Sequence, residues 1–308
     1  MLDRLKSAAL RSAAAFATAA ALAGAAQAQT DYAAIEADPA LWAISDEDNT
    51  VYLFGTVHIL PPELDWKTDE IRAAIDSADI VYFEADATSE AAQAEAQALI
   101  PQLGLNAPGV TLSSLISEEA KEDMAIIAGR LGAPAEALAA QMDPMQPWLA
   151  SLTLAVLQIQ AGGYDPQSGV EYAIADYVGE DAEYGYFETL EQQLRFFADM
   201  PMEIQIADFE VGVAQMVEDP DMLSELVQAW AVGDMDTVDR LMNEGMRDSS
   251  EELFQTLIVQ RNEDWIPQIE AVLAGDQDAF IAVGAGHMPG DHGVIALLEA
   301  AGHTVERR

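Results

Sequence analysis

Two histidines of this 308-residue chain lie in the same local pattern, near opposite ends of the sequence. His58 closes the segment Val51-Tyr-Leu-Phe-Gly-Thr-Val-His58, and His287 closes Ala279-Phe-Ile-Ala-Val-Gly-Ala-Gly-His287. Each is an apolar β-type run that ends in Gly-x-x-His, with a proline shortly after. A single histidine at a strand end is more often a packing residue. Because the chain has only four histidines, the matched pair favours a shared chemical role.

Two imidazoles and one carboxylate form a ligand set that suits a catalytic divalent metal, since coordination positions remain for water and substrate. We expect His58 and His287 to bind the metal with Glu84, and Glu188 is the second choice for the carboxylate. Metal binding lowers the pKa of a bound water, and the spare glutamate is then a candidate general base. Arg261 is the candidate for stabilising the oxyanion of a tetrahedral intermediate.

Each of these charged residues also has a structural interpretation. Glu84 and Glu188 each come just before a predicted helix, where a carboxylate is stabilised by the helix dipole. Arg261 has many acidic neighbours available as ion-pair partners in a chain with 54 acidic residues. His292 and His303 do not follow a Gly-x-x-His pattern, and we interpret both as structural or surface residues.

Several common catalytic motifs are missing from the sequence. There is no cysteine, which excludes disulfides, thiolate metal sites and a cysteine nucleophile. No serine lies in a Gly-x-Ser-x-Gly elbow, and neither His-Glu-x-x-His nor a phosphate-binding glycine loop occurs. The metal hypothesis therefore gains support by elimination.

The elements around the first histidine predict how the site is positioned. Residues 41–45 and 50–54 form a predicted β-hairpin, residues 66–77 a helix and residues 79–84 a strand. A strand-helix-strand order places His58 and Glu84 at the C-terminal ends of strands, which is the edge where ligands bind in open α/β sheets. Gly55 and Gly284 are the predicted turn glycines, which allow the backbone to approach a ligand closely.

The rest of the chain predicts an α/β (α+β) fold with a central mixed sheet from N- and C-terminal strands and a large helical insertion at about 89–265. Within the insertion, residues 183–188 form a predicted strand that ends in Glu188. Pro267 is expected to break or kink a helix over 250–274. The predicted final elements are listed in chain order: strand 279–283, helix 293–301 and strand 303–306.

The first 28 residues have the layout of a secretory signal peptide. Three basic residues precede an Ala-rich apolar run over 13–23, and Ala26-Gln-Ala28 forms the cleavage site. We expect cleavage after Ala28 and export to the bacterial periplasm or medium. No later stretch reaches roughly 18 uninterrupted apolar residues, so no stable membrane insertion is expected.

Without those 28 residues the chain carries 10 basic and 53 acidic side chains, a formal charge of −43. A surface this acidic repels nucleic acid and anionic membranes. Attraction of cationic peptides or divalent cations is one interpretation. A solvated acidic surface suited to a saline habitat is the other, and it is favoured because the acids are spread along the chain.

Several segments in this order resemble the TraB/PrgY/GumN family, which is related to the Tiki metalloproteases and more distantly to erythromycin esterase and ChaN-like proteins. The resemblance covers Leu41 to Val305. The segments that carry it are Leu41-Trp42, Tyr52-Leu-Phe-Gly-Thr-Val-His58-Ile-Leu-Pro61, Tyr82-Phe-Glu84-Ala-Asp86, Gly169-Val, Phe187-Glu-Thr189 with Gln192, Arg261-Asn-x-x-Trp265 and Val283-Gly-Ala-Gly-His287-Met-Pro-Gly290.

The resemblance implies a Tiki-type (EreA/ChaN-like) α/β fold, residues 29–308 as one domain, and a divalent-metal-dependent peptidase activity. It implies His58, Glu84 and His287 as the active site, with Glu188 and Arg261 beside them. Three residues depart from the family pattern: Glu171 in place of the usual Asp, His292 and His303. We expect none of the three to touch the proposed ligands.

The sequence thus predicts a hydrolase of peptides that depends on Mn, Co or Zn. The alternative is a non-catalytic periplasmic protein that binds a peptide or a small ligand such as haem in the same crevice. Under both hypotheses the expected partner of the protein is a peptide or a small molecule.

Overall fold

A computed structural model describes residues 30–179 and 182–308. Six strands in the described residues form one sheet in the order β4-β3-β5-β2-β1-β6. Their bounds are β1 Leu41–Ser45, β2 Thr50–Thr56, β3 Ile80–Phe83, β4 Glu183–Tyr186, β5 Ala279–Gly284 and β6 Glu306–Arg307.

The sheet is mixed, and its four strands β4, β3, β5 and β2 run parallel to one another. Strand β1 pairs antiparallel with β2 and with β6. Both ends of the chain therefore build the sheet, and only β4 comes from the long segment between β3 and β5. This confirms the predicted α/β class. The carboxyl ends of the four parallel strands lie at one edge, where α/β proteins bind ligands.

Along the chain, helices make up most of the segments that connect the strands. The α-helices of the described residues are α1 Asp69–Ser77, α2 Glu90–Leu103, α3 Leu112–Leu115, α4 Glu118–Arg130, α5 Ala135–Met142, α6 Pro147–Ala161, α7 Val170–Val178, α8 Leu190–Ala198, α9 Met202–Glu218, α10 Met222–Ala231, α11 Met235–Asp239, α12 Gly245–Ser249, α13 Glu251–Phe254, α14 Gln260–Leu273 and α15 Val294–Ala301. Short 3₁₀ turns cover Tyr32–Ala34, Pro166–Ser168 and Ala285–His287, and π-helical turns cover Arg240–Glu244 and Gln255–Val259.

Helix α14 departs from the prediction made for residues 250–274. It continues through Pro267 to Leu273, so the proline does not end it. The irregularity lies earlier, where the π-helical turn Gln255–Val259 joins α13 to α14. Such turns are rare and occur often at functional sites. Here the turn ends at Val259, directly before the helix that contributes Arg261.

Two further boundaries differ from the prediction. Helix α1 begins at Asp69 rather than at residue 66, because the Thr68 side chain caps it by accepting a hydrogen bond from the Ile71 amide at 3.2 Å. The last strand covers Glu306–Arg307 instead of residues 303–306. The His303 imidazole instead contacts the Glu270 carboxylate at 3.0 Å.

Apolar clusters on both faces of the sheet hold the strand ends in place. Phe54, Trp66 and Trp230 pack together in one cluster, while Trp265 belongs to the other. The Trp230 indole also donates a hydrogen bond to the Gly55 carbonyl at 2.8 Å, where β2 nears its end. Burial of one such large side chain contributes roughly 1.5–3 kcal/mol. The end of β2, which leads to His58, is therefore fixed against the core.

Residues 32–308 fall in one compact unit. Within residues 30–179 and 182–308, no helix has the length and apolar character needed to cross a membrane. The predicted signal peptide, residues 1–28, lies outside the described residues. Cleavage after Ala28 and the domain bounds stay predictions.

Candidate active site

Four of the five predicted site residues follow the four parallel strands. His58 comes two residues after β2, Glu84 one residue after β3, Glu188 two after β4 and His287 three after β5. Arg261 is contributed by α14 and reaches this edge from the side. The sheet order thus brings residues from distant parts of the chain to one edge. His58 and Glu84 lie at the C-terminal ends of strands, as predicted.

Arg261 lies at the centre of the cluster and uses every N–H group of its guanidinium. Nε donates to Glu188 Oε1 at 2.8 Å, and Nη2 donates to Glu188 Oε2 at 2.9 Å and to Glu84 Oε2 at 2.5 Å. Nη1 donates to the Leu257 carbonyl at 3.2 Å and to His287 Nε2 at 3.0 Å. A guanidinium has five N–H donors. The oxyanion contact predicted for Arg261 therefore requires one of these bonds to be given up.

Glu84 is held as a carboxylate on both oxygens. Oε1 accepts from the Gly284 amide at 2.7 Å, and Oε2 accepts from Gln193 at 2.9 Å in addition to Arg261. Burial by itself raises the pKa of this carboxyl, but the positive charges of Arg261 and His58 and the hydrogen bond from the Gly284 amide lower the pKa below its ordinary value. Glu84 is thus ionised and aimed into the cluster.

Glu188 makes a different set of contacts from Glu84. Oε1 accepts from Arg261 and from the Trp265 indole at 3.0 Å, and Oε2 accepts from Arg261 and Gln193, the latter at 3.1 Å. These four donors take up the acceptor capacity of the carboxylate. The arrangement favours a role in holding Arg261, and the catalytic role of Glu188 stays a prediction.

His287 is buried, and its tautomer follows from its neighbours. Because Arg261 only donates, His287 Nε2 must accept, so the proton is on Nδ1. Nδ1 then donates to Asn262 Oδ1 at 2.6 Å. The Asn262 amide is fixed in this orientation because its Nδ2 donates to the carbonyls of His287 and His292 at 3.3 and 2.7 Å. Burial lowers the pKa of His287 to about 3, so its imidazole is neutral.

His58 has the opposite surroundings. Its side chain is 69% exposed, and Nδ1 contacts Glu171 Oε1 at 2.8 Å. The Thr56 hydroxyl donates to the same carboxylate oxygen. The negative charge of Glu171 raises the pKa of His58 above its ordinary value, with a smaller contribution from Glu84. The expectation that Glu171 does not touch a proposed ligand is wrong, because it is the direct partner of His58.

Close backbone packing brings Glu171 to His58. Gly169 precedes α7, and a Cβ at this position would lie 1.9 Å from the His58 carbonyl oxygen. The Val170 amide donates to the Val57 carbonyl at 3.1 Å. The first turn of α7 is therefore fixed on the loop after β2, and Glu171 lies in that turn. The Gly169-Val170 pair in the sequence was the available signal, but it did not reveal which residue it would meet.

The two predicted turn glycines are needed for close packing. A Cβ on Gly55 would lie 3.0 Å from Ala285 Cα, and a Cβ on Gly284 would lie 3.0 Å from Glu84 Oε1. Gly284 has φ −49, a backbone conformation open to any residue, and Gly55 lies within β2. The small size of each glycine lets β2 approach the turn after β5 and lets the Glu84 carboxylate reach the Gly284 amide.

The donor groups suit a divalent cation, although they are not arranged around one. Within the described residues, no three His, Asp or Glu side chains have metal-binding spacing. Yet both predicted histidines are held through Nδ1, which leaves Nε2 as the ligand atom, already unprotonated on His287 and available on His58 once its proton is lost. His287 Nε2 lies 3.7 Å from Glu84 Oε1. Three carboxylates against one guanidinium also give the cluster a formal charge of −1 with His58 protonated, and of −2 once His58 has lost its proton. The chemistry of the residues present fits such an ion.

The fold and this edge define a class: an α/β protein with a buried Arg–Glu–His cluster at the carboxyl ends of its parallel strands. Residues 40–307 match the model of the TraB/PrgY/gumN family, and the chain belongs to that family. No curated protein and no solved structure matched the chain in the two other comparisons.

Proposed function

We propose that this cluster is the active site of a hydrolase that acts with one bound divalent metal ion, Mn, Co or Zn. The observation that carries the proposal is the anchoring of both Gly-x-x-His histidines through Nδ1, His58 by Glu171 and His287 by Asn262. Histidines that bind metals characteristically donate their other ring N–H to a carboxylate or carbonyl group, which fixes the ring and its tautomer.

His58, Glu84 and His287 would hold the metal, and a bound divalent ion supplies a water whose pKa is lowered towards neutrality. The rest of the cluster orients these groups. Asn262 fixes the His287 ring so that Nε2 faces the cluster, and the Gly284 amide holds the Glu84 carboxylate.

The site is open at the His58 end and closed at the His287 end, whose side chains are 69% and 5% exposed. A substrate therefore approaches from His58. The assignment of a peptide bond as the substrate comes from the resemblance to the Tiki metalloproteases.

Metal analysis of the purified mature protein tests the proposal. We expect about one Mn, Co or Zn ion per chain, and loss of that ion in His58→Ala and in His287→Gln. His303→Ala is the matched control, since His303 pairs with Glu270 outside the cluster. Thermal unfolding of each variant separates loss of metal from loss of fold. Metal that stays stoichiometric in both site variants contradicts the proposal.

A peptide-library digest with and without chelator then tests the reaction. Cleavage that stops in chelator and returns with added metal supports a peptidase. Ligand retention without turnover under any of the three metals supports instead the non-catalytic binding protein.

Export is a separate part of the proposal. When the full chain is expressed in a bacterium, we expect the protein in the periplasm or medium with Gln29 as its first residue. An intact N-terminus in the cytoplasm contradicts this.

A further inference from the structure

We infer that Arg261 is the resident cation of the metal-free site and competes with a divalent metal for His287 Nε2. The inference rests on the proposed function, since it concerns how the same site takes up its ion. It assigns to Arg261 control over metal affinity, which differs from the oxyanion contact expected from the sequence.

The first step of the argument is the position of one N–H group. Arg261 Nη1 lies 3.0 Å from His287 Nε2, and its proton points at the lone pair that a metal would need. The same guanidinium binds Glu84 Oε2, so it touches two of the three proposed ligands at once. A metal on His287 Nε2 and the present Nη1 contact exclude each other, whereas Glu84 has its other oxygen, Oε1, on the side of His287.

The second step is the number of bonds that a metal has to break. Three of the five N–H groups of Arg261 serve Glu188 and the Leu257 carbonyl, which are not proposed ligands. These bonds hold the guanidinium in place when the contact to His287 is lost. The competition therefore centres on the contact to His287, and Arg261 stays anchored by Glu188.

The third step follows from the fact that all five N–H groups of Arg261 already donate hydrogen bonds. While His287 Nε2 accepts from Nη1, Arg261 has no N–H left for a substrate oxygen. Release of that contact frees an N–H group beside the ligands. The predicted role of Arg261 towards an oxyanion thus becomes available only once His287 has exchanged Arg261 for a metal.

Zinc affinity of the metal-free protein tests the inference, measured by competition with a chromophoric chelator. The variant is Arg261→Lys, which keeps the positive charge but has one ammonium nitrogen instead of a planar fork. One nitrogen cannot occupy the positions of Nε, Nη1 and Nη2 at once, so the contacts to Glu84, Glu188 and His287 are not all kept. Since a hydrogen bond to a charged group is lost, we expect zinc to bind about tenfold more tightly, or more, than in the wild type.

Arg240→Lys is the matched control, because Arg240 pairs with Glu225 on the surface at 2.6 Å and is outside the cluster. Its zinc affinity should equal that of the wild type. Equal affinity in Arg261→Lys and wild type overturns the inference and leaves the metal proposal intact. Absence of zinc binding in both proteins overturns both.

A measurement on the wild-type protein covers the case in which Arg261→Lys does not fold. Long-range ¹H–¹⁵N spectra report the state of His287 Nε2, and direct guanidinium spectra report Arg261. We expect added zinc to shift the signals of His287 Nε2 and of Arg261 Nη1 together. A zinc-induced shift of Nε2 with unchanged Arg261 signals overturns the inference.

Discussion

The two Gly-x-x-His units have the same local sequence pattern and opposite surroundings. His58 is exposed and paired with the Glu171 carboxylate, which raises the pKa of His58. His287 is buried and paired with the neutral Asn262 amide, and its pKa is lowered to about 3. The pattern places an imidazole at a strand end, but residues from distant helices decide its charge. One unit therefore belongs to the mouth of the site and the other to its base.

The largest expected difference between the two units is in stability. His287→Ala should lower the free energy of unfolding by about 3 kcal/mol, because it leaves a cavity and unpairs both Asn262 Oδ1 and Arg261 Nη1. His58→Ala should cost less, about 1 kcal/mol, because solvent screens the ion pair of a side chain that is 69% exposed. Urea unfolding of the metal-free proteins measures both. Equal losses contradict the assignment of base and mouth.

The second difference is in the direction of the pH dependence of the metal-free protein, with chelator present. The folded pKa of His287 is below the unfolded value of 6.5, so the unfolded chain binds more protons and stability falls as pH drops from 6.5 towards 3. The folded pKa of His58 is above 6.5, so its contribution is complete below 6.5 and is lost as pH rises through about 9.

The free energy of unfolding is measured from about pH 3 to 9 for the wild type, His58→Gln and His287→Gln. Comparison of the three curves separates the two effects. The His287 variant should lose part of the acid-side fall, and the His58 variant the alkaline-side fall. The alkaline effect should be the smaller one, because solvent screens a side chain that is 69% exposed. The same slope in both variants contradicts the comparison.

The glycines of the two units should also differ, by a smaller amount. Gly55→Ala places a Cβ 3.0 Å from the Ala285 backbone and should cost about 2 kcal/mol. Gly284→Ala meets the Glu84 side chain at 3.0 Å, which can shift, and should cost about 1 kcal/mol.

Gly129→Ala is the control for both glycine variants, because nothing lies within 4 Å of a Cβ there and helix α4 should gain about 0.5–1 kcal/mol. Thermal unfolding ranks the three variants. A larger loss at Gly284 than at Gly55 contradicts the packing argument.

The strand ends were predictable from the sequence, and the partners of the histidines were not. Apolar runs that stop at Gly-x-x-His or at a carboxylate report local structure, which the sequence contains directly. Glu171 reaches His58 across 113 residues because Gly169 lets α7 pack on the loop after β2. No local pattern encodes such a contact. Asn262 belongs to a motif of the family resemblance, yet its partner His287 lies 25 residues further along the chain, at the end of another element.

The smallest expected effect concerns Glu171, the carboxylate that pairs with His58 at the mouth of the site and has no counterpart beside Nδ1 of His287. Glu171→Gln removes the charge beside His58 and keeps the shape of the side chain, so the pKa of His58 should fall towards its ordinary value. Stability should change by less than about 1 kcal/mol, since the partner is exposed. NMR titration of the imidazole signals measures the pKa, with His303 as an internal reference. A His58 pKa that stays raised in this variant would place the source of the shift elsewhere, at Glu84, and the two units would then share one electrostatic environment.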